Sequence, residues 1–128
     1  MTIYQMEEEV VQKKLTGGSC VSILVIHENK YYICHLGDSR ILKLSLSKAE
    51  NKVESFEQLT VDHKPENEKE KKRIEGFGGK IYRNKSINGK EEIYGPLRFL
   101  PGRLSVSRSI GDTEIKKQGN GKILIYEP

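Results

Sequence analysis

Residues 19–40 read SCVSILVIHENKYYICHLGDSR. Apolar and β-branched residues occupy both odd and even positions from 19 to 27, a pattern typical of a strand that is covered on both faces. The polar turn Glu28-Asn29-Lys30 leads into a second apolar run at 31–36, and together the two runs predict a β-hairpin. Gly37-Asp38-Ser39 ends the second run, and a Gly-Asp break in a strand-like pattern predicts a bulge or bend that redirects a side chain.

The chain on either side of this hairpin contains further helical and strand-like patterns. Helices are predicted at 2–15, ended by Gly17-Gly18, and at 67–75, where Asn67 and Glu70 have capping-box spacing. Strands are predicted at 41–46, 58–61, 80–83, 93–94, 104–107 and 123–126, with a loop at 47–57, a turn at 62–65 and a tight turn at Asn88-Gly89. A strand-rich chain with only two helices favours an α+β layered fold over an alternating βαβ one.

The charge balance of the chain is moderately basic. It has 22 Lys and Arg against 18 Asp and Glu, a net charge of +4 over 128 residues. This balance is compatible with an acidic partner such as a phosphorylated peptide or a nucleic acid. Nucleic-acid binding is supported by the charge alone, because aromatic and basic residues do not interleave, and no nucleic-acid partner is predicted.

Cysteine usage and hydropathy indicate the compartment. Cys20 and Cys34 lie in strand-like runs without a CxxC pair, so they are predicted to be buried thiols of a reducing environment. The first residues do not resemble a signal peptide, and no apolar run approaches the roughly 18 residues of a membrane span. The sequence therefore predicts an intracellular protein, cytoplasmic or nuclear, with no membrane segment in this chain.

Aspartate is scarce and its placement is informative. The chain has fifteen Glu but only three Asp, at positions 38, 62 and 112. Each Asp follows a strand-like run, where a short carboxylate can be held rigidly and directed at a metal or an amine. Asp is also a common turn residue that bonds its own backbone, so each Asp taken alone favours a structural role over a catalytic one.

The order of the motifs around these aspartates resembles the metal-dependent serine/threonine protein phosphatases of the type 2C family. The motifs that carry the resemblance are Gly17-Gly18-Ser19-Cys20-Val21, Gly37-Asp38-Ser39-Arg40, Asp62-His63-Lys64-Pro65, Leu104-Ser105-Val106-Ser107-Arg108-Ser109-Ile110-Gly111-Asp112 and Ile125-Tyr126-Glu127-Pro128. The resemblance implies part of a four-layer αββα sandwich, in which antiparallel sheets are flanked by helices. It also implies that residues 1–128 are an incomplete catalytic domain.

The family hydrolyses phosphoserine and phosphothreonine in proteins. It uses two Mn²⁺ or Mg²⁺ ions, which supply a bridging water as the nucleophile. The ligands of that metal pair lie in Asp-Gly-His-Gly, Asp-Gly and Asp-Asn motifs that this chain lacks, so no catalytic residue is predicted here and the isolated chain is expected to be inactive. Asp38 matches a family Asp that can contribute to an additional, weaker metal site.

The resemblance also implies supporting roles for other residues. Those expected to shape the loops around the metal centre are Gly37, Ser39, Arg40, Asp62, His63, Ser107, Arg108, Gly111 and Asp112. Residues 113–122 correspond to the family's flap, whose Lys116, Lys117 and Lys122 are either close to a phosphorylated protein substrate or part of a solvated surface.

Two further expectations concern the whole chain. One alternative to an active enzyme is a catalytically inactive family member that binds phosphoproteins or a regulatory partner. Strands left without neighbours would expose sheet edges, so self-association through those edges is predicted.

Overall fold

The computed structural model of the protein describes residues 2–47, 51–84 and 94–128. Within them the helices are α1 (Ile3–Gln12), α2 (Glu68–Gly76) and α3 (Thr113–Gln118). The strands are β1 (Gly18–Ser19), β2 (Val21–His27), β3 (Lys30–Leu36), β4 (Leu42–Leu46), β5 (Val53–Gln58), β6 (Lys80–Asn84), β7 (Tyr94–Leu100) and β8 (Ile110–Gly111). Helices and antiparallel strands without βαβ alternation confirm the predicted α+β class.

The strands of the described residues pair as four two-stranded antiparallel sheets. Three of these sheets join strands that are consecutive in the chain, namely β2–β3, β4–β5 and β6–β7. The fourth joins β1 to β8 and places Gly18 opposite Gly111. This long-range pairing brings the glycine-rich segment after α1 beside the end of the motif at 104–112.

The β2–β3 hairpin forms as predicted, with Glu28 and Asn29 as a two-residue turn. Both have positive φ angles, 47° and 61°, which suits a two-residue connection between twisted strands. The prediction that β2 is covered on both faces is wrong for the described residues, since Val25 is 52% and Ile26 is 74% exposed. Apolar composition shows that a strand can be covered, but a covering layer has to come from elsewhere in the tertiary structure.

Helix α1 begins at a capping box and ends earlier than predicted. The Thr2 hydroxyl accepts from the Gln5 amide, and the Gln5 side chain accepts from the Thr2 amide. The helix stops at Gln12, because Lys14 adopts a left-handed φ of 51°. Leu15 then donates to the Val10 carbonyl in a Schellman-type closure. Gly17-Gly18 is therefore not the helix terminator; Gly17 precedes β1 and Gly18 begins it.

The region after β3 differs from its prediction. The chain bends at Gly37 and Asp38 and leaves the first hairpin, so β4 forms a second hairpin with β5. The predicted loop at 47–57 is wrong over 53–57, which belong to β5, and the predicted strand at 58–61 is wrong beyond its first residue. β5 has apolar side chains only at Val53 and Phe56, so it lacks the alternation by which a strand is recognised; residues 48–50 lie outside the described residues.

The second helix and third hairpin follow the sequence more closely. Helix α2 begins after Asn67, whose side chain accepts from the Lys69 amide. Glu70 does not complete the predicted capping box, because its carboxylate points into the core. β6 pairs with β7, which extends well beyond the predicted 93–94. Ile93 and the predicted turn at Asn88-Gly89 lie outside the described residues.

The strands predicted at 104–107 and 123–126 do not form. Leu104 makes a single isolated bridge to Phe99, and Ile125 makes one to Arg108. Ile123 and Ile125 are nevertheless buried, at 5% and 8% exposed. Their apolar character reflects packing in the core and not strand pairing, a distinction that a short apolar run cannot make by itself.

Two hydrophobic clusters hold the described residues together. The first lies between α2, β7 and the end of the chain and contains Ile74, Phe99, Ile123 and Leu124, with Ile81, Leu104 and Ile115 packed against it. The second lies under α1 and contains Ile3, Leu36 and Ile110, with Met6, Val10, Val21 and Cys34 at its margin. The three aspartates lie in the segments that connect these clusters.

Candidate functional site

Asp38 lies in the bend after β3, at the end of the hairpin that packs under α1. Gly37 has a φ of 93°, and a Cβ there would lie 2.2 Å from the Cys20 sulfur, so only glycine fits this bend. The Asp38 side chain is one-third exposed (33%), and its Oδ2 lies 3.1 Å from Lys64 Nζ. Cys20 Sγ lies 3.6 Å from Asp38 Oδ1. Burial raises the pKa of the Cys20 thiol, and the Asp38 charge adds to this shift, so the thiol remains protonated and can donate.

Asp62 is held by the arginine of the Gly-Asp-Ser-Arg motif. Arg40 makes a two-pronged contact with it, with Nε 2.9 Å from Oδ1 and Nη2 2.7 Å from Oδ2. The Gln58 amide adds a weaker contact of 3.3 Å to Asp62 Oδ1. Hydrogen bonding from Arg40 lowers the pKa of Asp62. This planar pairing locks the segment after β5 to the bend after β3.

His63 connects the same two segments through its backbone and its ring. Its amide donates to the Gly37 carbonyl at 2.8 Å, and its Nδ1 accepts from the Gly37 amide at 3.2 Å. The ring stacks on His35 with centroids 4.9 Å apart. Burial, with a smaller contribution from the Arg108 charge, lowers the pKa of His63 to about 4. The ring is therefore neutral near pH 7, which is the form that leaves Nδ1 free to accept.

The described residues do not by themselves hold a metal pair. Among residues 2–47, 51–84 and 94–128, no three side chains of His, Cys, Asp or Glu converge as a metal site. Asp38 contributes one carboxylate, which faces the Lys64 ammonium, and Asp62 is engaged by Arg40. Divalent ions of the Mn²⁺ or Mg²⁺ type need several oxygen ligands. The Asp38 carboxylate by itself is insufficient to hold a pair of such ions, so no chemical step of a metal pair is assigned to these residues.

Glu70 is the centre of a buried charged cluster that the sequence did not reveal. It is 2% exposed and lies 2.6 Å from Arg73 Nη2, 2.6 Å from Arg108 Nη2 and 2.5 Å from the Ser107 hydroxyl. Despite burial, which raises it, the pKa of Glu70 falls to about 2 because hydrogen bonds from Arg108, Ser107 and Arg73 outweigh desolvation. Arg108 continues to the Glu127 carbonyl at 2.8 Å, so the cluster ties α2 to the end of the chain.

Asp112 lies at the backbone junction between β8 and α3. It precedes α3 with a left-handed φ of 50°. Its amide donates to the Gly17 carbonyl at 2.7 Å, and its Oδ2 accepts from the Ser109 hydroxyl at 2.8 Å. These contacts account for a loop-shaping function of Asp112 and of the preceding Gly111.

The three lysines of residues 113–122 have different environments. Lys117 is exposed and lies 2.6 Å from Glu114, and Lys122 is exposed. Lys116 is only 7% exposed, and its Nζ lies 2.6 Å from Glu7 Oε1. This corrects the expectation that Lys116 belongs to a solvated or substrate-facing surface. Its side chain is buried, and its ammonium group forms an ion pair with the Glu7 carboxylate.

Sequence reasoning assigned no site role to Glu7 or Glu70. Glu70 precedes Arg73 by three residues, a spacing at which helix side chains meet, and this was an available signal. Glu7 has no local signal, since its partner Lys116 lies 109 residues away. A contact between residues so far apart in the chain does not change the local spacing of apolar and polar residues, so that spacing does not predict it.

Comparison with solved structures supports the fold. The chain aligns with a structure described as that of a C. elegans sex determining protein with a TM-score of 0.65 and 25% identity, over 94% of this chain and 26% of that one. It aligns with the serine-threonine phosphatase 2C of Toxoplasma gondii with a TM-score of 0.64 and 24% identity, over 97% of this chain and 39% of that one. Both alignments support the α+β fold of the chain.

The family follows from the sequence comparisons. A family model described as Protein phosphatase 2C matches residues 1–128, and the chain belongs to this family. Probable protein phosphatase 2C 5 of Arabidopsis thaliana is 39% identical over 84% of this chain, and probable protein phosphatase 2C 3 of Oryza sativa is 34% identical over 85%. The resemblance predicted from the motifs is confirmed. The chain spans 23% and 21% of the length of these two relatives.

No helix of the described residues is of the length and apolar character needed to cross a bilayer.

Proposed function

We propose that the protein containing this chain hydrolyses phosphoserine and phosphothreonine in protein substrates, and that this chain supplies the middle of its catalytic domain. The observation that carries this proposal is the match of the phosphatase 2C family to all of residues 1–128. The Gly-Asp-Ser-Arg and Asp-His-Lys-Pro motifs support it, because the Arg40–Asp62 and Gly37–His63 contacts hold them side by side. Substrates are expected to be phosphorylated proteins.

The proposal assigns the cofactor as a pair of Mn²⁺ or Mg²⁺ ions, which would supply the attacking water when bound. The ligands of this pair are expected outside the present chain. Asp38 is proposed as one ligand of an additional, weaker site; its oxygen-rich chemistry and partial exposure suit a hydrated hard cation. Binding there would compete with the Lys64 ammonium for the same carboxylate.

The isolated chain of residues 1–128 is expected to show no phosphatase activity. A hydrolytic site without its metal-pair ligands cannot generate the nucleophile. The measurement is release of phosphate from a phosphothreonine peptide over a titration of Mn²⁺. Metal-dependent turnover by the isolated chain would contradict this expectation.

The proposed activity itself is tested on a longer natural chain that includes residues 1–128. Metal-dependent phosphate release is expected. The rate of phosphate release by Asp38→Asn should respond less to the Mn²⁺ concentration than that of the parent, without loss of turnover. Glu57→Gln, which alters an exposed carboxylate paired with Lys43, serves as the matched control. If the longer chain binds phosphopeptides tightly but releases no phosphate, the alternative of a catalytically inactive binding module replaces this proposal.

A further inference from the structure

A buried ion pair joins α1 to α3. Glu7 and Lys116 are 5% and 7% exposed, and Lys116 Nζ lies 2.6 Å from Glu7 Oε1. The same ammonium donates to the Ser109 carbonyl at 2.8 Å and lies 5.1 Å from the centre of the Tyr126 ring. Burial lowers the pKa of Lys116, and the Glu7 carboxylate opposes that shift. The charge of the lysine therefore depends on its partner.

The second oxygen of Glu7 fixes the entry to α3. Glu7 Oε2 accepts from the Gly111 amide at 2.8 Å. Gly111 and Asp112 both have left-handed φ angles, 78° and 50°, and a Cβ on Gly111 would lie 2.4 Å from the Gly17 carbonyl oxygen. One carboxylate thus holds both the backbone turn that directs α3 and the first buried side chain of that helix.

The far end of the same segment is anchored separately. Arg73 Nη1 donates to the Lys122 carbonyl at 2.7 Å and also to the Ile123 carbonyl. Along their outer turns α1 and α3 are separated by a groove of about 1030 Å³, lined in part by Val11 and Ile115. The groove keeps the outer turns of the two helices apart. In the described residues, the Glu7–Lys116 ion pair is the main polar link between α1 and α3.

We propose that Glu7 and Lys116 are positioning residues that set where residues 113–122 meet a phosphorylated substrate. This inference rests on the proposed function, and it concerns how residues 113–122, the segment expected to meet the substrate, are held in place. Neither side chain is available to touch the substrate, since both are buried and paired; Lys117 and Lys122 carry the exposed positive charge. The position of these two lysines, and with it the affinity for substrate, depends on a helix more than one hundred residues earlier in the chain.

The test compares three variants, Glu7→Gln, Lys116→Met and the double variant, in a longer natural chain that is active. Each single variant leaves one buried charge without its partner, whereas the double variant removes both charges and should recover thermal stability. KM for a phosphopeptide is expected to rise about tenfold in all three, the effect of one hydrogen bond to a charged group, with kcat within about twofold. Glu9→Gln, which breaks the exposed Glu9–Lys13 pair on the same helix, is the control and should change neither.

A second measurement does not depend on activity. Amide hydrogen exchange at Gly111 and in α3 should accelerate about tenfold in Lys116→Met and in the double variant of the 128-residue chain. Unchanged KM, or KM that recovers together with stability in the double variant, would overturn the positioning role. If the longer chain has no phosphatase activity, the proposed function fails; the exchange data then still decide whether the ion pair fixes the segment.

Discussion

Glu70 shows how a single buried carboxylate joins α2 to the motif at 104–112. A negative charge that is 2% exposed is stable only because Arg73, Arg108 and Ser107 direct donors at it. His63 illustrates the opposite case, a titratable ring kept neutral so that it can accept a backbone hydrogen bond. At this scale the aspartates of the motifs act through hydrogen bonding to neighbouring segments.

Replacing Glu70 with Gln is expected to destabilise the fold by about 3 kcal/mol, because the partly buried guanidinium groups of Arg73 and Arg108 lose their buried counter-charge. The folded pKa of about 2 lies below the usual 4.5, so the stabilisation is complete above pH 4.5 and is lost as the pH falls towards 2. Urea unfolding at several pH values measures both effects. Glu75→Gln, an exposed position on the same helix, should leave stability and its pH dependence unchanged; equal losses in both variants would refute the central role of Glu70.

His63 is expected to make the free energy of unfolding depend on pH between about 4 and 6.5, a higher range than that of Glu70. Its folded pKa of about 4 lies below the usual 6.5. The unfolded chain therefore takes up a proton first, and stability falls as the pH drops from 6.5 to 4. His63→Asn keeps an acceptor for the Gly37 amide but cannot titrate, so its stability should be flatter over this window. A parallel pH dependence in the variant and the parent, followed by urea unfolding, would contradict this assignment.

At the scale of elements, the helices are set by their ends and the sheets by their partners. α1 is delimited by a capping box at Thr2 and by the left-handed Lys14. The β2–β3 hairpin follows from its turn residues, but β5 forms only because β4 lies beside it, from Leu42 opposite Gln58 to Leu46 opposite Val53. Caps and two-residue turns are local signals, whereas strand partners are not.

Removing the N-cap of α1 is expected to have a measurable cost. Thr2→Ala deletes the hydroxyl that accepts from the Gln5 amide, which should destabilise the chain by about 1 kcal/mol. Thr2→Ser keeps the hydroxyl and is the matched control, with an expected change of only a few tenths of a kcal/mol. Urea denaturation decides; the same loss in both variants would show that the threonine methyl group, not the cap, matters.

At the scale of the whole molecule, the described residues form four small sheets that leave open edges and apolar faces. Ile26 is 74% exposed and Phe56 is 71% exposed, on different hairpins. Contiguous exposed apolar surface and unpaired strand edges both favour association. The molecule is also tied across its length by the Glu7–Lys116 and β1–β8 contacts.

The isolated chain is therefore expected to self-associate through its exposed strands. Ile26→Lys together with Phe56→Lys places charge on two hairpins and should shift the sedimentation coefficient towards that of a monomer. Val61→Lys, a 65% exposed apolar position outside the strands, should leave the association unchanged. A monodisperse monomer for the unaltered chain would show that the open edges do not recruit partners.

Sequence by itself determined the family, the α+β class, the first hairpin with its turn, and the Asn67 N-cap of α2. These features depend on residues close to one another in the chain, where side-chain periodicity, turn chemistry and motif order act directly. It also predicted loop-shaping roles for Gly37, Arg40, Asp62 and His63, although not that their two segments contact each other.

Only the tertiary structure decided that Glu7 meets Lys116 and that Glu70 is buried between two arginines. It also decided that residues 123–125 pack in the core without forming a strand, and that β2 is exposed. The physical reason is that burial and ion pairing depend on which distant segments come together. A carboxylate on a helix looks solvated in sequence until a cation more than a hundred residues away is packed against it.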